Sequence, residues 1–337
     1  MRIEQNFSLE HYNTFHLPVC ARRFVEYASE TELECILRDE SIREMSSLHI
    51  GGGSNLLFLN DFGGTILHSA IRGIELVRET DDAVWLRVGA GEPWDRVTAL
   101  AADNGWGGIE NLSLIPGETG AAAVQNIGAY GAEIKDVLES LEVYLPTAEK
   151  RVFTNEECRY AYRDSYFKDE SHASCIITRV TLRLTKQPVF NLAYGNLNEL
   201  LAGSAPPTVA RVREAVIRIR REKLPDRDKL GNAGSFFINP VVSQEQSSRL
   251  KRDYPAMPSY PLKDGRAKLS AGWLIEQCGF KGKRAGATGI YERQALVIVN
   301  YGGATGHEIA LFAESVREAV CQRFGVMLTP EVKYIKD

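Results

Sequence analysis

The segment from residue 111 to residue 131 constrains the fold more than any other part of the chain. It reads Asn-Leu-Ser-Leu-Ile-Pro-Gly-Glu-Thr-Gly-Ala-Ala-Ala-Val-Gln-Asn-Ile-Gly-Ala-Tyr-Gly, so small residues alternate with single polar ones. This pattern predicts a loop, and a loop of this length inside a domain usually has a function. A flat ring system could lie against its backbone while Ser113, Thr119, Gln125 and Asn126 meet the heteroatoms of that ring. By itself the segment is equally consistent with a purely structural loop.

A turn of three glycines provides a second signal. Gly51, Gly52 and Gly53 follow a predicted strand at residues 48–50, and Ser54 and Asn55 come next. Glycines reach positive φ at low cost and bring backbone N–H groups close to an anion. The turn therefore fits a pyrophosphate, although a flexible turn after a strand would have the same composition.

Periodicity predicts an α+β protein divided into three regions: residues 1–68, 69–205 and 206–337. The stretch 201–207 is the predicted linker before the third region. The predicted strands are 48–50, 84–88, 141–145, 180–184 and 296–299. The predicted helices are 30–37, one opened by Pro93 and ended by Asn104-Gly105, and three more capped by Thr208, Ser270 and Thr305.

Composition excludes several classes of protein. With 337 residues the chain is long enough for two or three domains, and a net charge of -4 gives no reason to expect nucleic acid or an anionic membrane as partner. The chain has no run of about 18 apolar residues and no secretory signal at its N-terminus, so we expect a cytoplasmic protein. The six scattered cysteines are expected to be reduced and mostly buried, and the six histidines show no metal-binding spacing. Without an apolar stripe, a monomer is expected.

The segment Gly89-Ala90-Gly91-Glu92-Pro93-Trp94 follows a predicted strand and opens a helix, as a dinucleotide-binding turn does. Trp94, however, stands where that motif needs its third glycine for close packing between helix and strand. We therefore reject this interpretation, and the sequence has no Walker-type phosphate loop.

Three further motifs carry residues suited to chemistry. Tyr162 and Arg163 pair a phenol with a planar cation that suits a carboxylate. Ser235 follows a glycine and precedes two phenylalanines, which predicts a tight turn that presents a hydroxyl beside an apolar wall; such a hydroxyl could donate a proton. Glu331 follows a proline and could point into a cleft. Each motif alone is more often an ordinary surface pair, turn serine or solvated glutamate.

In their order and spacing these motifs closely resemble the UDP-N-acetylenolpyruvoylglucosamine reductase (MurB) family. The resemblance extends from Asn13-Thr14-Phe15 to the terminal Pro-Glu-Val, and its most specific parts are Ala-Tyr-Arg-Asp-Ser and Gly-Asn-Ala-Gly-Ser-Phe-Phe. It implies a two-lobed FAD-binding domain of the vanillyl-alcohol-oxidase-like type, with lobes at 1–68 and 69–205. A C-terminal substrate domain would follow at 206–337, and its last residues could pack back on the first lobe.

The resemblance also implies a reaction. The enzyme would use NADPH and FAD to reduce UDP-N-acetylglucosamine enolpyruvate to UDP-N-acetylmuramate, a step in peptidoglycan synthesis. Some flavoprotein relatives tether the flavin covalently through a histidine in or near the glycine turn. Ser54 stands there in this chain, so non-covalent FAD is implied. The segment 191–197 looks like the substrate-capping loop of one branch of the family, and Tyr194 matches its tyrosine.

Matched residue by residue, the resemblance assigns roles across the chain. Ser235 would be the proton donor, with Arg163 and Glu331 as catalytic partners. The implied substrate-binding residues are Tyr162, Tyr194, Lys223, Asn239, Lys281 and Gln294. The implied FAD-binding residues are Ile50, Gly51, Gly52, Gly53, Ser54, Asn55, Leu56, Ser113, Ile115, Pro116, Gly117, Gly120, Asn126, Gly128, Ala129, Tyr130 and Arg220.

Two other functions remain open from the sequence. One is a flavin-dependent alcohol or sugar oxidase on the same scaffold, which would need no serine proton donor. The other is a sugar-nucleotide-binding protein without catalytic activity, which would take up no FAD.

Overall fold

The computed structural model describes residues 1–193, 196–202 and 206–336. These residues form two units. The first unit contains residues 1–7, 21–52 and 63–222, and the second contains residues 8–20, 53–62 and 223 to the C-terminus. The division therefore falls inside the glycine turn, between Gly52 and Gly53. The three functional regions inferred from the sequence stay a prediction.

The strands, in chain order, are β1 (Arg2–Ser8), β2 (Cys20–Tyr27), β3 (Ser47–Ile50), β4 (Leu56–Phe58), β5 (Phe62–Ser69), β6 (Ile74–Glu79), β7 (Ala83–Gly89), β8 (Gly128–Ala129), β9 (Ala132–Glu133), β10 (Leu138–Tyr144), β11 (Lys150–Thr154), β12 (Ile176–Thr185), β13 (Gly231–Asn232), β14 (Val241–Ser243), β15 (Ser259–Pro261), β16 (Arg266–Leu269), β17 (Arg284–Ala285), β18 (Thr288–Ile290), β19 (Ile298–Asn300) and β20 (Lys333–Ile335). The helices are α1 (Glu30–Arg38), α2 (Glu40–Arg43), α3 (Trp94–Asp103), α4 (Thr119–Gln125), α5 (Leu197–Leu201), α6 (Val209–Lys223), α7 (Gln244–Asp253), α8 (Ala271–Gln277) and α9 (Gly306–Phe324).

The first unit is built on two large sheets, besides the short hairpin of β8 and β9. One has the strand order β11-β10-β12-β7-β6, and the other has the order β1-β2-β5-β3 with β3 parallel to β5. Alternation along β7 buries Val84, Leu86 and Val88 in the same core as Trp94 and Val97 of α3. This packing places the start of α3 next to the segment 111–131, because that core also contains Leu112, Ala122 and Ala123.

The second unit has smaller sheets and a large aromatic core. Its sheets have the orders β13-β19-β18-β17, β14-β16-β15 and β20-β4, and β20 runs parallel to β4 with Lys333 opposite Leu56. Phe236 and Phe237 are fully buried in this core, and α9 packs Ile309 and Val316 against it. The helix α9 begins with the predicted capping box of Thr305 and Glu308, and it ends at Gly325 in the left-handed conformation.

Most predicted helices and strands are confirmed, with ends shifted by at most four residues. The predicted strand 296–299 is only partly right, since β19 begins at Ile298. The prediction that residues 111–131 form a loop throughout is wrong, because residues 119–125 form α4. Three consecutive alanines favour a helix there, and Asn126 ends it at φ 44°. Of the predicted linker, residues 203–205 lie outside the described residues.

The cysteines are free, as the sequence predicts, but the expectation that most are buried is wrong. Cys158 is buried, Cys35 is exposed, and the remaining four are half-buried.

Candidate functional site

The first two glycines of the turn lie in the first unit, against the segment 117–121. A Cβ atom on Gly52 would lie 3.6 Å from the Cα atom of Gly117, and one on Gly51 would lie 3.0 Å from the Cβ atom of Ala121. The backbone N–H groups of Gly51 and Gly52 make no hydrogen bond to another described residue. The unused N–H groups of Gly51 and Gly52 therefore lie beside the backbone of the segment 117–121, and such donors suit an anionic ligand.

The rest of the turn lies in the second unit and is fixed at both ends. Gly53 has φ +65°, and a Cβ atom there would lie only 1.9 Å from the carbonyl oxygen of Tyr12, so no other residue fits. The Gly53 carbonyl accepts a hydrogen bond from Thr14 N at 3.3 Å. On the other side, Asn55 Nδ2 donates to the Glu331 carbonyl at 3.1 Å, and Lys333 N donates to the Asn55 carbonyl at 3.0 Å.

Three of the four polar side chains singled out in the segment 111–131 hydrogen-bond within the protein. Ser113 Oγ donates to Glu110 O at 2.6 Å, Thr119 Oγ1 donates to Glu92 O at 2.8 Å, and Asn126 Nδ2 donates to Ala161 O at 2.8 Å. Gln125 differs, because its buried Oε1 atom has no hydrogen-bond partner among the described residues. Gln125 is therefore the member of this set whose acceptor remains available to a ligand.

The segment 112–117 is fastened to the first residues of α3, which the sequence did not reveal. Trp94 Nε1 donates to Leu112 O at 2.9 Å, and Trp94 N donates to Gly117 O at 3.0 Å. Between them, Leu114 N donates to Asp95 Oδ1 at 2.6 Å. Trp94, which excluded a dinucleotide-binding turn, thus has a structural use here. The sequence did not single out Asp95, because an acidic residue is common in the first turn of a helix.

Tyr162 and Arg163 form the tip of a tight hairpin in the first unit. The backbone groups of Ala161 and Asp164 exchange two hydrogen bonds of 3.1 Å, which leaves Arg163 at φ +57°. Its Nη2 atom donates to Gly128 O at 2.7 Å, and its guanidinium lies 5.6 Å from the centre of the Tyr162 ring. The structure thus brings Arg163 together with Gly128, two residues that the sequence assigned to different ligands.

Ser235 lies at a turn of the second unit and is exposed. Gly234, at φ +68°, precedes it, and Asn232 Oδ1 accepts a hydrogen bond from Gly234 N at 3.0 Å. The buried Phe236 follows, and its carbonyl accepts a hydrogen bond from Glu331 N at 2.8 Å. The predicted turn beside an apolar wall is present, and the backbone next to Ser235 is bonded directly to the backbone of Glu331.

The other predicted substrate residues of the second unit are mixed in their surroundings. Lys223 is exposed at the end of α6, Asn239 Oδ1 accepts from Ala271 N at 3.0 Å, and Gln294 Oε1 accepts from Leu296 N at 3.3 Å. Lys281 forms a 2.9 Å ion pair with Glu276. A ligand that binds Lys281 would therefore compete with a carboxylate.

Two more predicted residues concern the first unit. Arg220 is half-buried, and desolvation lowers the pKa of its guanidinium; its Nε atom donates to Leu114 O at 3.2 Å. Tyr194 lies outside the described residues and stays a prediction. The start of its segment is described, however, and Asn111 Nδ2 donates to both Asn191 O and Tyr130 O, at 2.9 Å and 2.8 Å.

A partly buried chain of ionisable groups lies beside the glycine turn in the first unit. His68 bonds Glu26 Oε2 through Nδ1 and Glu118 Oε1 through Nε2, both at 3.0 Å, and Glu118 Oε2 lies 3.2 Å from the position of a Cβ atom on Gly51. Burial lowers the pKa of His68, but the hydrogen bonds and charges of Glu118 and Glu26 outweigh it, so the pKa is raised. The imidazolium therefore offsets two carboxylates that would otherwise repel an anion at the turn.

Comparison with known proteins decides the family. Residues 225–335 match the family model of the UDP-N-acetylenolpyruvoylglucosamine reductase C-terminal domain, and residues 21–153 match that of an FAD binding domain. The UDP-N-acetylenolpyruvoylglucosamine reductase of Porphyromonas gingivalis is 49% identical over 99% of this chain and 100% of its own length. This chain belongs to the UDP-N-acetylenolpyruvoylglucosamine reductase family. The family's reductase from Bacteroides fragilis is 47% identical, again over 99% of this chain and 100% of its own length.

Solved structures agree with this membership of the reductase family. The UDP-N-acetylenolpyruvylglucosamine reductase of Thermus caldophilus covers 100% of both chains with a TM-score of 0.71 and 26% identity. The 6-hydroxy-D-nicotine oxidase of Arthrobacter nicotinovorans covers 97% of this chain and 86% of its own with a TM-score of 0.56, and at 12% identity it shows the fold alone. These comparisons confirm the predicted α+β fold, with an FAD-binding domain of the vanillyl-alcohol-oxidase-like type and a C-terminal domain. The chain is an enzyme of the flavin-dependent oxidoreductase class.

Two further features are absent from the described residues. They contain no helix long and apolar enough to cross a bilayer. They also contain no group of three or more histidine, cysteine or acidic residues that could hold a metal ion.

Proposed function

We propose that this protein uses NADPH and non-covalently bound FAD to reduce the enolpyruvyl group of UDP-N-acetylglucosamine enolpyruvate, giving UDP-N-acetylmuramate for peptidoglycan synthesis in the cytoplasm. The observation that carries the proposal is the 49% identity, from end to end, to a reductase of this name. Its fold alone would also suit an oxidase, since an oxidase shares it.

The residues of the turn and of the segment 111–131 fit FAD. The unused N–H groups of Gly51 and Gly52 suit a pyrophosphate, and the free acceptor of Gln125 suits a ring N–H group. Because Ser113 and Asn126 already bond within the protein, we expect them to shape the backbone at the cofactor rather than to bind it through their side chains. The remaining proposed FAD residues are Ile50, Gly53, Ser54, Asn55, Leu56, Ile115, Pro116, Gly117, Gly120, Gly128, Ala129, Tyr130 and Arg220. When bound there, FAD would supply the hydride-transfer chemistry that links the reduced nicotinamide to the enolpyruvyl double bond.

Ser235 is proposed to protonate C2 of the enolpyruvyl group. An alcohol is a weak acid, so it protonates carbon only where the carbon is strongly basic and the hydroxyl is held in place. The turn supports the second condition, because Gly234 N donates to the side chain of Asn232 and the backbone of Phe236 is hydrogen-bonded to Leu296 and Glu331.

Arg163 and Glu331 are proposed to stabilise the charge that develops on the substrate carboxylate. A guanidinium does this through fixed, planar donors, and Arg163 is held by Gly128. Glu331 would contribute a donor in its protonated form, on a backbone held by Phe236 and Asn55.

The substrate's sugar nucleotide is proposed to bind Tyr162, Tyr194, Lys223, Asn239, Lys281 and Gln294. Tyr194 would fold over it as part of the segment 191–197 and exclude water. Cationic Lys223 and Lys281 suit its diphosphate and carboxylate, although Lys281 must then exchange its contact with Glu276.

The visible spectrum tests the proposal. Purified protein should carry an oxidised flavin spectrum that NADPH bleaches without oxygen and that the enolpyruvyl UDP-sugar then restores, with one UDP-N-acetylmuramate formed per NADPH. Rapid oxygen consumption with a sugar alcohol, and no response to the UDP-sugar, would instead indicate an oxidase. A colourless protein that takes up no FAD would contradict both.

A further inference from the structure

Leu114 has an unusual backbone conformation. Its φ is +57°, in the left-handed region that residues with a side chain adopt only at a cost. Such conformations persist where the surroundings enforce them, and they cluster at functional sites. Leu114 lies between Ser113 and Ile115, both of which are proposed to bind FAD.

Charged side chains hold both peptide groups of Leu114. Its N–H donates to Asp95 Oδ1 at 2.6 Å, and its carbonyl accepts from Arg220 Nε at 3.2 Å. The N–H and the carbonyl lie on either side of the Cα atom of Leu114, so the two hydrogen bonds together fix the backbone dihedral angles of this residue. Hydrogen bonds to ionised groups are the stronger kind, which suits them to opposing backbone strain.

Asp95 is itself held by neighbours on two helices. Arg213 of α6 forms a bidentate ion pair with it, with Nη1–Oδ1 and Nη2–Oδ2 distances of 2.7 Å and 2.9 Å, and Thr98 Oγ1 of α3 lies 3.0 Å from Oδ1. Burial raises the pKa of Asp95, but the hydrogen bonds from Arg213 and Leu114 lower it more, so the carboxylate is charged at neutral pH. Oδ1 is thus a fixed acceptor.

We propose that Asp95 is a positioning residue of the cofactor site, which presets the segment 113–117 for FAD by holding Leu114 in the left-handed conformation. The inference rests on the proposed assignment of that segment to FAD. A segment already in its binding conformation loses less entropy when the ligand binds, so releasing it weakens affinity. Trp94 holds the ends of the segment through Leu112 and Gly117, which leaves Asp95 to fix its middle.

The experiment combines removal of Asp95 with removal of the strain. FAD is titrated into apoprotein of the wild type, Asp95→Ala, Leu114→Gly and the double variant, with Asp103→Ala as control. Asp103 lies exposed at the C-terminal end of the same helix, so its substitution removes one negative charge from α3 without removing a contact of Leu114. We expect Asp95→Ala to weaken FAD binding about tenfold, equivalent to about 1.4 kcal/mol, with Asp103→Ala unchanged. Glycine accepts φ +57° without help, so Leu114→Gly should restore most of the affinity of Asp95→Ala.

A second comparison separates the segment from the ion pair. Asp95→Ala also deprives Arg213 of its partner, so Arg213→Met is measured beside it; this variant should lose thermal stability yet keep FAD affinity within about threefold of wild type. If Asp95→Ala does not fold, Asp95→Asn, which loses only the charge, replaces it. Unchanged FAD affinity on loss of Asp95, no rescue by Leu114→Gly, or an equal loss in Arg213→Met would each overturn the proposal.

Hydrogen exchange tests whether Asp95 holds Leu114 without relying on the proposed function. In wild-type apoprotein the amide hydrogen of Leu114 should exchange slowly, and in the Asp95 variant at least about tenfold faster. If the wild type bound no FAD, the assignment of the cofactor site would fail. The holding of Leu114 by Asp95 would then be judged by exchange alone, and equal exchange in both proteins would refute it.

Discussion

The side-chain amide of Asn55 donates a hydrogen bond to the backbone carbonyl of Glu331 across an Nδ2–O distance of 3.1 Å. One residue belongs to the glycine turn and the other is the proposed catalytic carboxylate. The return bond, from Lys333 N to Asn55 O at 3.0 Å, begins the parallel pairing of β4 with β20. Within the second unit, Asn55 is therefore held against the backbone of Glu331.

Substitution of Asn55 should separate the two half-reactions. A hydrogen bond of this kind contributes about 0.5–1.5 kcal/mol, so in FAD-saturated Asn55→Ala we expect reoxidation of the flavin by the enolpyruvyl sugar to slow about fivefold. Flavin reduction by NADPH should stay within about twofold, because Glu331 has no proposed part in it. Stopped-flow absorbance measures both rates. Asn60→Ala is the control, since Asn60 bonds only an exposed imidazole. Equal slowing of both half-reactions would contradict the prediction.

Gly53 should tolerate no side chain. Alanine there would place its Cβ atom 1.9 Å from Tyr12 O in addition to straining the backbone. Gly105→Ala is a matched control, because Gly105 has φ +71° with nothing within 4 Å of the added atom. We expect Gly105→Ala to lower the free energy of unfolding by about 1 kcal/mol, from backbone strain alone. Gly53→Ala should lower it by at least about 3 kcal/mol, and urea unfolding of apoprotein measures both values. Similar losses for the two variants would show that the approach of Tyr12 is unimportant.

His68 should make stability depend on pH. Its folded-state pKa is raised above the ordinary value of 6.5, so its contribution is fully present below about pH 6.5 and is lost as pH rises through the raised pKa. His68→Gln should lower the unfolding free energy by about 3 kcal/mol at pH 6, and by less at pH 9. Urea unfolding across this range measures the effect, with His11→Gln, an exposed substitution, as the reference. If the difference in unfolding free energy between wild type and His68→Gln stayed constant with pH, His68 would not be a charged partner of Glu26 and Glu118.

Much of the fold follows from local sequence, and the exceptions have physical causes. Helices with a capping residue and one apolar face, such as that begun by Thr305, are specified by neighbours in the chain. Residues 119–125 were predicted as loop because flanking glycines hid the helical preference of three alanines. The Ser235 turn follows from its glycine and aromatic neighbours. The contacts of Asp95 with Leu114 and of Asn55 with Glu331 do not, because they join positions 19 and 276 residues apart that no local pattern relates.

The proposed proton donor, Ser235, can be examined through the reoxidation rate of the Ser235→Ala variant. With the variant saturated with FAD and reduced by one equivalent of NADPH, stopped-flow absorbance follows the return of oxidised flavin after the enolpyruvyl UDP-sugar is added. We expect a normal rate of flavin reduction and a flavin reoxidation slowed by about 10²-fold or more, because general acid catalysis is lost. Reoxidation at the wild-type rate would show that Ser235 does not supply the proton.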